Sequence, residues 1–268
     1  LISALGGSRV QIGGPTGAFV VVVFNVIRDH GYEGLVIATL MAGAILLVAG
    51  FARLGTWMKY MPEPVITGFT AGIAVVIFTS QVKDLFGLTM PELPAEVAEK
   101  LGAFWASRES VNFGAVAVAA LSLATILGLR RYAARLPGFL FAVIFGSAVT
   151  LLVGLKIETI GSAFGGIPQS LPAPTLPPFA WETWKGLFPS AATIAFLAGV
   201  ESLLSAVVAD GMTGYRHRSN IELVGQGVAN IVSALFGGMP ATGAIARTAT
   251  NIRSGARSPI AGMLTAAF

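Results

Sequence analysis

A single carboxylate lies in the middle of a long uncharged stretch of this chain. No charged side chain occurs from Gly186 to Val200; Glu201 follows, and the next charged residue is Asp210. An acid near the centre of a membrane-spanning helix is costly to bury and is typical of an ion or proton pathway. The alternative is a carboxylate that only caps a neighbouring half-helix or faces a wet crevice. We favour the functional interpretation, because hydrocarbon leaves few other uses for a charge.

The same tripeptide occurs twice, each time in a similar context. Thr16-Gly17-Ala18 and Thr242-Gly243-Ala244 each follow a Gly-Gly pair and a proline within a few residues, and each interrupts an apolar run. Apolar segments interrupted by glycine and proline at matching positions of two halves are typical of the midplane site of a secondary transporter. The pattern predicts two half-helices, each preceded by a short extended strand, that begin near Pro15 and near Thr242.

Two half-helix N-termini aimed at one another would present unpaired N–H groups and positive dipole ends, which favour an anion. Arg247 would add a permanent cation near the second N-terminus. The predicted anion-binding residues are Thr16, Gly17, Ala18, Thr242, Gly243, Ala244 and Arg247. The alternative is a structural ion pair between Arg247 and Glu201, because an unpaired charge at that depth is costly. The two interpretations also combine, since an anion and a proton could compete for these two side chains.

The composition excludes an ordinary soluble domain. Of the 268 residues, 54% are apolar and 11% are charged, and the mean hydropathy is +0.78, whereas about a quarter of a soluble domain is charged. The net charge of +4 does not indicate nucleic-acid binding, because the cations form short clusters between apolar runs. The chain has no cysteine, and the apolar spans hold no histidine, so we expect no metal site, no cofactor and no enzyme.

Several apolar runs are long enough to cross a lipid bilayer, which takes about twenty residues. The predicted spans are Gly34–Ala52, Pro64–Val82, Ser110–Leu129, Leu136–Leu155, a span from Gly186, and a span from Leu223 to near Phe236. Apolar residues from Leu93 to Trp105 recur at helical spacing. This spacing predicts either an amphipathic helix on the membrane surface or a loop helix packed on protein.

The basic residues occur in alternate connections between these spans. They are Arg53 and Lys59, then Arg130, Arg131 and Arg135, then Arg216 and Arg218. The positive-inside tendency therefore assigns these three connections to the cytoplasmic side. Because the chain begins at Leu1 and ends in an apolar run too short to span, we expect it to be part of a longer protein.

Several long motifs resemble the SulP family of anion transporters, over essentially the whole chain. They are Gly13–Phe19, Pro64–Gly72 with Gln81 and Lys83, Glu222–Asn230, Arg247-Thr248 and Gly255–Ser258. Within the family, Glu201–Leu204 and Asp210–Gly214 are most similar to a bacterial branch that includes bicarbonate and dicarboxylate carriers.

The resemblance implies an all-α polytopic membrane protein with part of a 7+7 inverted-repeat fold, divided into core and gate domains. Residues 1–268 would form about segments 3 to 11 of 14 of the transport domain, and a cytoplasmic STAS domain would lie outside this chain. The resemblance also implies a homodimer in a bacterial inner (plasma) membrane.

One departure from the family pattern concerns the coupling ion. In sodium-coupled bicarbonate members, the positions of Glu201, Ser205 and Ile245 resemble an aspartate and two threonines that build a sodium site with Gly243. Ile245 offers no oxygen to a hard cation. We therefore expect Glu201, with Ser205, to carry H+ in place of sodium.

The leading hypothesis is a secondary active transporter that moves sulfate, or a related oxyanion or small carboxylate, together with a proton by alternating access. The alternatives are a sodium-coupled bicarbonate transporter and an uncoupled anion channel. An exchanger of neutral nucleobases is a further alternative, against which Arg247 argues.

Overall fold

The computed structural model describes residues 1–60, 63–90, 94, 96–133, 136, 138–159, 161–162 and 172–267. In chain order, its helices are α1 (Ile2–Leu5), α2 (Val20–Phe51), α3 (Glu63–Phe86), α4 (Val97–Ala106), α5 (Phe113–Tyr132), α6 (Gly138–Val153), α7 (Trp181–Thr213), α8 (Ser219–Leu235), α9 (Ile245–Arg253) and α10 (Pro259–Ala267). The strands β1 (Gly13–Gly14) and β2 (Thr242–Gly243) have two residues each, and 3-10 turns span Gly17–Phe19, Leu54–Tyr60 and Arg108–Ser110.

Among the described residues, three helical stretches are long and apolar enough to cross a membrane. They are Gly17–Phe51, Phe113–Tyr132 and Trp181–Thr213, and α6 is a shorter apolar helix. The predicted spans fall on α2, α3, α5, α6, α7 and α8. The mainly helical architecture predicted from the sequence is therefore confirmed.

The long helix α2 is broken at one residue. Gly31 has φ 71° and ψ −176°, a left-handed conformation that glycine adopts without steric penalty. The break separates a first half-helix, Val20 to His30, from a second part that runs to Phe51. This division agrees with the predicted half-helix followed by a span from Gly34.

The chain forms two compact units, residues 1–73 with 171–268 and residues 74–170. In the first unit, α2 packs against α7 through a core that includes Leu35, Ala38, Leu187 and Ile194.

The helices α2 and α8 approach one another through a pair of glycines. A Cβ on Gly43 would lie 2.8 Å from the Gly227 carbonyl oxygen, and a Cβ on Gly227 would lie 2.8 Å from the Gly43 carbonyl oxygen. Only glycine at both positions permits this backbone contact, which is typical of close helix pairs in membranes.

The second unit contains the predicted amphipathic helix as α4. Its Phe104 is buried with Leu88 and Met90, whereas Leu101 and Trp105 are exposed; Leu93 lies outside the described residues. Lys100 of the same helix is fully buried, and its Nζ donates a hydrogen bond to Ser80 Oγ at 3.0 Å. One face of α4 is therefore packed on protein.

Candidate functional site

The two interrupted segments meet in a small antiparallel ladder. Gly13 pairs with Gly243 and Gly14 pairs with Thr242, and the Ala244 N–H donates to the Ile12 carbonyl oxygen at 2.8 Å. Because the pairing is antiparallel, the chain leaves the ladder in opposite directions. The helical segments that follow thus start on either side of the crossing, with both N-termini towards it.

The half-helices begin later than the sequence predicts. The first starts with the 3-10 turn at Gly17, two residues after Pro15, and the second starts at Ile245, three residues after Thr242. The difference at the second has a clear cause, since Thr242 and Gly243 pair with β1. Arg247 is consequently the third residue of its helix.

Two of the predicted anion-binding residues, Thr242 and Gly243, are packed against other parts of the protein. Thr242 is fully buried, and its Oγ1 donates to the Ala198 carbonyl oxygen of α7 at 2.8 Å. A Cβ on Gly243 would lie 1.8 Å from Gln11 Nε2. These residues hold the ladder against its neighbours, and β2 would reach an anion only through its backbone.

Glu201 lies in the middle of α7 and is 4% exposed. Its Oε2 accepts a hydrogen bond from Thr16 Oγ1 at 2.8 Å, so the start of the first half-helix is tied directly to the acid. In the described part of the chain, no ion pair involves Glu201, and Arg247 has none either. The expected alternative of a structural Glu201–Arg247 pair is therefore absent from this structure.

Both half-helix N-termini lack a side-chain cap. The residue before the second is Ala244, which has no polar side chain. The hydroxyl of Thr16, which donates to Glu201, accepts no capping bond from its own helix. Neither first turn contains an acidic residue. The first N–H groups of a helix need a partner from outside the helix, and neither N-cap residue supplies one with its side chain.

Arg247 stands at the positive end of a helix, where a cation is electrostatically unfavourable. Its side chain is exposed, and its Nη1 lies 3.1 Å from the position of a Cβ on Gly14. The guanidinium therefore lies beside β1, next to the ladder. A bound anion would offset both the cation and the two dipoles.

The predicted coupling residue Ser205 is fully buried one turn after Glu201. Its Oγ lies 3.1 Å from Thr248 Oγ1, which also accepts a hydrogen bond from the Ile12 N–H at 3.0 Å. Ile245 contributes no oxygen. In the sequence, Thr248 was identified only as part of the Arg247-Thr248 motif. Its contact with Ser205 was not predicted.

Sequence reasoning also missed the role of Glu222, which is fully buried at the start of α8. Its carboxylate accepts four hydrogen bonds, from the Gly7 and Ser8 N–H groups at 2.8 and 3.3 Å, from Ser202 Oγ at 2.7 Å and from Gln226 Nε2 at 3.0 Å. The available signal was an acid at the head of an apolar run with glutamine four residues later.

Two buried amides complete the support of the site. Gln11 Nε2 donates to both the carbonyl oxygen and Oγ of Ser202, at 3.1 and 3.0 Å. Asn230 Nδ2 donates to the Ala241 carbonyl oxygen, and Asn230 Oδ1 accepts from the Ala241 N–H, both at 2.8 Å. These bonds fix the chain just before each strand. No cluster of three or more acidic or histidine side chains suited to a metal occurs among the described residues.

Comparisons with known proteins agree with this architecture. Residues 1–268 match the sulfate permease family. The chain is 46% identical over 271 residues to the Bacillus subtilis (strain 168) protein named "Putative sulfate transporter YvdB", covering 98% of this chain and 50% of that protein. It is 32% identical to the bicarbonate transporter BicA of Synechocystis sp., covering 97% of this chain and 47% of BicA. The chain thus spans about half the length of these relatives.

Solved structures show the same fold. The transmembrane domain of a cyanobacterial BicA superposes with a TM-score of 0.79 at 31% identity, covering 98% of this chain and 69% of that one. The murine anion transporter Slc26a9, in the inward-facing state, superposes with a TM-score of 0.77 at 19% identity, covering 97% and 47%. With the whole chain matched by the family, and with this part of the 7+7 transporter fold in place, the protein belongs to the sulfate permease family.

Proposed function

We propose that this chain forms the anion-binding part of a secondary active transporter. The observation that carries the proposal is the pair of uncapped half-helix N-termini at the β1–β2 crossing, with Arg247 beside them. Unpaired N–H groups, two positive dipole ends and a guanidinium together favour an anion. The Thr16 hydroxyl donates to Glu201 and accepts no bond from its own helix, so those N–H groups are open to a ligand.

The substrate class follows from this chemistry. Helix N-termini select charge and size, so sulfate, a related oxyanion such as bicarbonate, or a small carboxylate would suit the site. The names of the relatives, sulfate transporter and bicarbonate transporter, support this range. Gly17 and Ala18 would contribute backbone N–H groups at the anion. Ala244, whose N–H donates to the Ile12 carbonyl oxygen, would keep the crossing in place with Thr242 and Gly243.

The coupling ion we propose is a proton on Glu201. In the described part of the chain, the Glu201 carboxylate accepts one hydrogen bond, from Thr16 at the start of the first half-helix. Protonation would remove a negative charge beside the anion site and so strengthen anion binding. Anion and proton would then move together, as in symport. Ser205 would act by positioning, through its contact with Thr248.

We further propose that the complete protein is a homodimer in a bacterial inner membrane, with a STAS domain beyond the transport domain. The three apolar helices and the bacterial relatives support the membrane assignment. Residues 1–268 would then be about segments 3 to 11 of 14.

Uptake by the full-length protein in proteoliposomes tests the proposal. Labelled sulfate should accumulate above its external concentration under an inward proton gradient, and unlabelled bicarbonate, succinate and fumarate should identify competing substrates. An inward sodium gradient at constant pH forms the second arm. Accumulation driven only by sodium would replace the proton with sodium, and flux that never exceeds equilibrium would indicate an uncoupled channel.

A further inference from the structure

A polar cavity lies in the first unit, at the end of α7 and the start of α8. It encloses about 500 Å³ and is lined by residues 6–10, by Asp210 and Thr213 of α7, by the loop 215–218, and by Ile221 of α8. Nothing in the proposed transport cycle uses this cavity. Its lining contains three arginines, one histidine and one carboxylate.

The arginines of this cavity carry unpaired charge. Arg9, Arg216 and Arg218 are exposed, and among the described residues none of them forms an ion pair. The guanidinium of Arg9 lies over the ring of Tyr215, 5.2 Å from its centroid. Each guanidinium offers five N–H donors in a planar fork that matches a phosphate group.

The single lining carboxylate is already engaged. Asp210 Oδ2 accepts a hydrogen bond from the His217 backbone N–H at 3.1 Å. The same oxygen lies 2.7 Å from His217 Nδ1. The other ring nitrogen of His217 lies 2.9 Å from Ser219 Oγ. Asp210 therefore fixes the loop, and no carboxylate in the described part of the chain pairs with the three arginine side chains.

The walls of the cavity are held by hydrogen bonds. The Arg218 N–H donates to the Gly7 carbonyl oxygen at 3.1 Å, and Glu222 accepts from the Gly7 and Ser8 N–H groups. The backbone that carries Arg9 and Arg218 is thus anchored to α8. The backbone positions of these arginines would therefore be set before a ligand binds.

The surroundings match an amphiphile. Large apolar side chains are exposed at Tyr215 and Ile221, which line the cavity. Met212, in the last turn of α7, is also exposed. The positive-inside tendency assigns the loop with Arg216 and Arg218 to the cytoplasmic side. Anionic phospholipids attract basic clusters on that side, and basic pockets between spanning helices hold their headgroups.

We propose that this basic cavity, formed by residues 6–10 and 210–221, binds a phosphate group as a site separate from the transported anion. The phosphate belongs to the headgroup of an anionic phospholipid whose chains lie along Met212, Tyr215 and Ile221, or to a free phosphate anion. In either case Arg216 and Arg218 hold the phosphate oxygens, and Arg9 closes the cavity from the turn before β1.

Binding of short-chain phosphatidylglycerol to the purified full-length protein in detergent tests the proposal, with phosphatidylcholine and inorganic phosphate as parallel probes. The variant is Arg216→Gln/Arg218→Gln, which alters exposed side chains only. The control is Arg130→Gln/Arg131→Gln, which removes the same charge from the exposed end of α5. Phosphatidylglycerol should bind about 30-fold more weakly to the cavity variant, from about 1 kcal/mol per arginine, and unchanged to the control.

The probes separate the two sources of phosphate. Arginine-dependent binding of phosphatidylglycerol, with weak binding of inorganic phosphate, assigns the cavity to lipid. Arginine-dependent binding of inorganic phosphate, with no gain from the lipid chains, assigns it to a free anion. The proposal is overturned if both double variants weaken binding equally, if neither does, or if no phosphate probe binds.

Discussion

The hydroxyl of Thr16 donates to the carboxylate of Glu201 across 2.8 Å, joining the start of one half-helix to the only acid in the middle of α7. The same hydroxyl accepts no bond from the N–H groups of the first half-helix, so Thr16 does not cap it. Among the described residues, Glu201 forms no ion pair with Arg247. In the proposed function the two side chains serve different ions, a proton on Glu201 and the anion at Arg247.

Replacing Thr16 by valine should impair uptake by about tenfold or more, because a hydrogen bond to a charged group contributes about 1.5–3 kcal/mol. Thr16→Ser keeps the donor and should retain most activity. Initial rates in proteoliposomes provide the measurement. A valine variant as active as the parent would remove Thr16 from the site.

Glu201→Gln should abolish accumulation driven by a proton gradient, because an amide cannot take up and release the coupling proton. Exchange of labelled for unlabelled anion across the membrane should persist, since the half-helix N-termini are unchanged. Glu182→Gln, at the exposed start of α7, is the matched control. Full proton-driven accumulation by the Glu201 variant would contradict the assignment.

Arg247→Gln should raise the half-saturation concentration of the anion by about tenfold or more, because a charge-assisted hydrogen bond contributes about 1.5–3 kcal/mol. Arg247→Lys should recover part of this loss, since it restores the charge without the planar fork. Arg253→Gln, in the last turn of the same helix, should leave the half-saturation unchanged. Equal effects at both positions would indicate only general electrostatics.

Glu222→Gln should lower the melting temperature by several degrees, since an amide has one acceptor oxygen where the carboxylate has two, and an unpaired buried donor costs about 1–3 kcal/mol. Thermal unfolding in detergent measures the change. Glu109→Gln, at an exposed carboxylate, is the control and should melt with the parent. If the Glu222 variant also melts with the parent, the network is not stabilising.

Lys100→Met should stabilise the protein near neutral pH by about 1 kcal/mol, because an apolar residue of similar volume is often better tolerated than a buried charge. Burial lowers the pKa of the Lys100 ammonium below its ordinary value of 10.5. The native state then binds fewer protons than the unfolded state between those pKa values. Parent stability should therefore rise with pH in that interval, and the advantage of methionine should shrink.

The control for this change is Lys156→Met, at an exposed lysine, which should alter the melting temperature little at any pH. Ser80 keeps a partner in the Lys100 variant, since its Oγ also donates to the Val76 carbonyl oxygen at 2.8 Å. A Lys100 variant less stable than the parent across the whole pH range would show that the ammonium stabilises α4.

The sequence was sufficient to locate the half-helices, because Gly-Gly pairs and prolines interrupt apolar runs in a local pattern. It was also sufficient to single out Glu201, because an acid inside an uncharged run stands out. The sequence did not decide whether Glu201 forms a structural ion pair with Arg247 or belongs to an ion or proton pathway. Thr16 is the partner, and its selection depends on how α7 packs beside the crossing, which local patterns do not encode.

The start of the second half-helix was misplaced for the same reason. Thr242 and Gly243 are compatible with a helix start until β1 pairs with them. Glu222 was overlooked because its four partners lie on the turn before Arg9, on α7 and on its own helix. Contacts between distant parts of a chain decide such roles.

The pairing of Gly13 with Gly243 also governs the order of events during synthesis. The partners lie near opposite ends of this chain, so the contact has a very large sequence separation and closes late. Until Thr242 and Gly243 emerge from the ribosome, the backbone groups of β1 that pair with them have no strand partner, and an unsatisfied group in hydrocarbon is costly. The nascent chain therefore has to shelter the residues around Gly13 in water or against other helices, and the proposed anion site can form only after Arg247 has been made.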